Sequence, residues 1–65
     1  MNNEERIKNL KELRQLLLYD LKMTNRIEQK IGNTPHLEEM RNLYLDQLND
    51  IDRELKEIEQ INKIL

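Results

Sequence analysis

The only glycine and the only proline of this 65-residue chain stand three positions apart near its midpoint, in Ile31-Gly32-Asn33-Thr34-Pro35. That order reads as one helix ending and another beginning. Gly32 can take the left-handed conformation that closes a helix, and Thr34 can cap the next one. Pro35 suits a first helical position, where its missing N–H has no partner to lose. So short a link, residues 32–34, makes its two helices antiparallel neighbours. At the other end, Asn2 or Asn3 can cap the first helix, and with Asn2 as cap Glu5 falls at the capping-box position. Glu4, Glu5, Glu38 and Glu39 fall in first turns, and Lys30 and Lys63 in last turns, as the helix dipoles favour. Glu4 with Lys8, Asp52 with Lys56 and Glu59 with Lys63 add i,i+4 support. The helices are placed at about 3–31 and 35–64, in a single domain spanning 1–65.

Both segments repeat with the spacing of a coiled coil. A 4-3 series runs through Leu37, Arg41, Tyr44, Leu48, Ile51, Leu55, Ile58, Asn62 and Leu65. A matching series runs through Ile7, Leu10, Arg14, Leu17, Leu21, Thr24, Glu28 and Ile31. Heptad seams of this kind predict left-handed packing at shallow angles, and no alternating strand pattern competes with them. The expected fold is all-α: a two-helix antiparallel hairpin, coiled-coil-like. Polar residues on the seam set its register. Glu28 and Arg41 can pair near the turn, Arg14 faces the second helix near Ile51 or Leu55, and Asn62 faces the start of the first.

Sixty-five residues bury a core usually worth only a few kcal/mol, so further stabilisation is needed. With no cysteine and one histidine, disulfides and zinc clusters are not available. Each helix meanwhile carries more apolar residues than its seam uses. Leu13, Leu16, Leu18, Met23 and Ile27 widen the first, and Met40, Leu43, Leu45, Ile61 and Ile64 widen the second. The apolar arc of the first helix covers roughly half its circumference, wider than a two-stranded seam. A second layer of contacts is expected, most simply a homodimer in which two hairpins form a four-helix bundle. Leucine at 48 and 55 with isoleucine at 51 and 58 is an arrangement that shifts parallel coils above dimers, which also hints at four helices. The residues expected to carry the partner or oligomer interface are Leu10, Leu13, Leu17, Leu21, Leu48, Ile51, Leu55 and Ile58.

The net charge of −2 hides an asymmetry: residues 1–33 carry seven basic and five acidic side chains, and 34–65 carry four and eight. Complementary halves favour docking one on the other, and no basic, aromatic face invites nucleic acid. The longest apolar run, Leu16 to Tyr19, is too short for a bilayer or a signal peptide, so a cytoplasmic location is expected, with no membrane partner.

No catalytic constellation stands out, and no cofactor or metal is expected. His36 has Glu39 three residues on, but is read as an exposed first-turn side chain. Gly32 has no phosphate-loop companions. The run Asp46, Asp50, Asp52, Glu54, Glu57 and Glu59 reads as a solvated face that could also meet a basic partner. On a continuous helix it does not make a calcium loop.

Gly32-Asn33-Thr34-Pro35-His36, followed by Leu45-Asp46-Gln47-Leu48, resembles the small helical-hairpin aspartyl-phosphate phosphatases that act on the sporulation response regulator of bacilli. In that family a Gly-x-Thr turn precedes a helix carrying Ser-Gln-x-Leu-Asp; here Asn42-Leu43 stand where the family has Ser-Gln. The resemblance implies a hairpin of this size, a response regulator as partner, and Asp46 as the residue to act in it. The residues themselves point instead to a non-enzymatic interaction or regulatory module that self-associates and docks amphipathic helices on a partner protein. A further alternative is a phage or mobile-element inhibitor of a host protein that mimics a helical partner; the richness in Asn, Lys and Ile suits an AT-rich bacterial genome.

Overall fold

A computed structural model describes residues 2–64, apart from the side chain of Ile64. Two helices make up the fold: α1 (Asn3–Ile31) and α2 (Pro35–Ile64). Their direction is fixed by cross-helix pairs. Glu28 pairs with Arg41 beside the turn, and Asn3 Nδ2 donates to Asn62 Oδ1 at 3.1 Å at the far end. The helices are therefore antiparallel over their whole length, in a rod measuring 50 × 15 × 15 Å.

Both helix starts follow from local chemistry. The Asn2 side chain accepts the Glu5 N–H at 2.7 Å, and Thr34 Oγ1 accepts the Leu37 N–H at 3.2 Å. Each satisfies one of the amides that a first helical turn leaves without an internal partner. The end of α1 differs from expectation in one respect. Gly32 N–H completes the last helical bond, to Glu28 O at 2.7 Å, but the residue sits at φ 84°, ψ 173°. This is the mirror image of extended backbone and not the left-handed helical well; it is a region that only glycine populates freely. It turns the chain straight into Asn33 and the Thr34 cap.

The core is the seam. Leu17, Leu48 and Ile51 form its buried centre, with Leu10, Leu21, Tyr44 and Leu55 packed against them. Leu37 and Ile58 are also buried. Thr24 occupies a seam position and is buried, which its hydroxyl allows by donating to the carbonyl of Asp20 at 2.8 Å, within its own helix. At the turn the two helices differ: Leu37 of α2 is buried whereas Ile31 of α1 is exposed, and the part-buried Glu28–Arg41 pair lies just inside them. Leu65, the last seam position expected, lies outside the described residues.

Candidate interaction surface

Seven of the eight residues expected at an interface, Leu10, Leu17, Leu21, Leu48, Ile51, Leu55 and Ile58, are buried or half-buried along the seam. In the single hairpin these side chains cover one another. Leu13 is the exception, 47% exposed.

What remains available is set by how the two helices flank the seam. Arg6 of α1 forms an ion pair with Glu54 of α2, so the row containing Arg6 and the row containing Glu54 border the same side. Stepping by seven along each helix, the first row is Arg6, Leu13, Asp20 and Ile27, and the second is Met40, Gln47, Glu54 and Ile61. The next rows outward hold Leu16 and Met23 on α1, and Leu43 on α2. This side therefore carries Leu13, Leu16, Met23 and Ile27 beside Met40 and Leu43, a set that runs from the turn past the middle of α1, with Ile61 at the far end of α2. Exposure agrees with the geometry: Leu16 is 62% and Leu43 53% accessible.

The other side is polar. Arg14 Nε donates to Asp52 Oδ1 at 2.8 Å there, so Asp52 joins the helices instead of serving only Lys56 on its own helix. A shallow groove of about 540 Å³ runs beside this pair between Lys11, Lys56 and Glu59. Leu18 and Leu45 are the exposed large apolar residues in the rows bordering this side. The sign of its charges alternates, so it offers no single-sign field to a ligand.

Candidate chemical residues stand apart from one another. His36 is exposed in the first turn of α2, and Asp46 is exposed on the outer edge of the same helix. Among the described residues no group of three His, Asp or Glu side chains converges on a possible metal position, and none of the helices is long and apolar enough to cross a membrane. No known protein family, curated protein or solved structure matches the chain.

The sidedness of the surplus apolar residues is the feature that counting them along each helix missed. The signal was present in the sevenfold rows, but it needs the antiparallel pairing to show which row of α1 borders which row of α2.

Proposed function

We propose that the chain is a non-enzymatic interaction module, which self-associates through its apolar side and docks amphipathic helices on a partner protein. The observation that carries this reading is the exposed group Leu13, Leu16, Ile27 and Leu43, which the seam does not need. Singly exposed leucines are ordinary on a protein surface; a contiguous set on one side of so small a fold marks a contact surface. Equilibrium sedimentation across the micromolar range tests the self-association part. A dimer is expected, and a folded monomer throughout overturns it.

A second reading rests on Asp46. Its carboxylate is exposed on the outer edge of α2, away from both the seam and the apolar side, so it stays available when either is covered. By resemblance to the sporulation phosphatases, it would enter a phosphorylated receiver and orient water. Asp46→Ala should then abolish dephosphorylation of the receiver while leaving helicity unchanged. Wild-type protein that leaves the phosphorylated receiver's lifetime unaltered removes this reading.

A further inference from the structure

The hairpin leaves 5359 Å² accessible to solvent, whereas a compact folded monomer of its 8.0 kDa mass exposes about 4,450 Å². The excess, about 900 Å², is close to the roughly 800 Å² that each partner contributes to a standard-sized interface. One hairpin covering the apolar side of another would bring each chain near the monomer norm.

We propose, resting on the self-association reading above, that a second copy of this chain covers that side with the two turns together. The two-fold axis runs along the hairpin, so each α1 lies beside the partner's α2. Such an axis leaves heights along the rod unchanged, so residues level within one hairpin are also level between hairpins. The pairs Asn3 with Asn62, Arg14 with Asp52, and Glu28 with Arg41 put Ile27 level with Met40, Met23 with Leu43, and Asp20 with Gln47. Apolar residues therefore meet apolar ones near the turn, while farther along the rod the same levels set Leu13 beside Glu54, Leu16 beside Asp50 and Ile61 beside Arg6. Asp20, which interrupts the apolar rows of α1, meets the side-chain amide of the partner's Gln47, a hydrogen-bond donor.

The alternative two-fold axis, perpendicular to the rod, sets α1 on α1 and α2 on α2. Asp20 lies midway between Leu13 and Ile27, so it would face its own copy. The two 34–65 halves, each with four basic and eight acidic side chains, would also lie side by side. Turn-to-turn packing instead places that half against the 1–33 half of the partner, which has seven basic and five acidic. Like-charge juxtaposition selects against wrong pairings, and here it selects the orientation.

The chain has no cysteine, so Asn33→Cys gives a unique site in the exposed turn for a nitroxide label. Dipolar electron resonance on the labelled dimer should give a distance within about 25 Å, since packed helices lie 8–10 Å apart. A distance of about 40 Å, twice the rise from the level of Asp20 to the turn at about 1.5 Å per residue, overturns the orientation and leaves self-association standing. A monomeric wild-type chain overturns both. The side is tested separately. Ile27→Asp with Leu43→Asp should weaken dimerisation about 100-fold or more, with circular dichroism showing the hairpin intact. Leu45→Asp, on the polar side, should change it less than about threefold. The reverse pattern overturns the choice of side.

Discussion

Leu16 and Leu17 are the same side chain one residue apart, yet Leu17 is 5% exposed and Leu16 is 62% exposed. A helix turns about 100° per residue, and that rotation moves a leucine from the seam to its flank. The seam holds one chain together; the flank is free to hold chains to each other. The comparison shows that apolar content alone says little about role in a helical hairpin. Position in the sevenfold repeat decides whether a residue is taken up by the fold or left at the surface.

The largest expected effect breaks the seam. Leu17→Ala should destabilise the hairpin by about 2–5 kcal/mol, a loss large enough to unfold a chain of this size, as urea denaturation would show. Leu16→Ala, assayed at concentrations below association, should stay within about 0.5 kcal/mol. Equal effects from the two substitutions would remove the distinction between seam and flank.

The turn comes next. Gly32→Ala should cost about 1–3 kcal/mol, because φ 84° with ψ 173° is strained for any residue with a Cβ. No atom lies within 4 Å of where that Cβ would stand, so the penalty is one of backbone conformation and not of packing. Thermal unfolding would measure it, and an unchanged midpoint would show that the turn relaxes.

The smallest effects sharpen the comparison at its edges. A double-mutant cycle on Glu28 and Arg41, whose side chains are each about one-quarter to one-third exposed, should give a coupling of about 1 kcal/mol. The more exposed pair Arg14 and Asp52 should give less than about 0.5 kcal/mol, and lose it as salt is added.

Much of the fold was legible because its determinants are local. Asn2, Gly32, Thr34 and Pro35 mark the helix limits through hydrogen bonds to near neighbours, and the 4-3 spacing marks the seam through helix geometry. The Glu28–Arg41 pair was legible for the same reason, since both residues flank a short turn. Three features were not. The ψ of Gly32 depends on how the following cap is placed. Arg14 bonds Asp52 because a long guanidinium stem leaves the seam for its polar edge. The apolar side depends on which rows of two separate helices border each other, a relation between elements and not within one. The interface residues expected from the sequence were for the same reason mostly those that the hairpin itself covers.

The cross-helix pairs also set an order of events. Glu28 and Arg41 are 13 residues apart in the chain, and Asn3 and Asn62 are 59 apart. Closing the longer loop from a disordered chain costs about 1.3 kcal/mol more than closing the shorter one. Once the turn and its ion pair have formed, however, each further seam layer closes only a small additional loop. The molecule is thus a zipper with one inexpensive starting point, and it opens from the end where Asn3 meets Asn62.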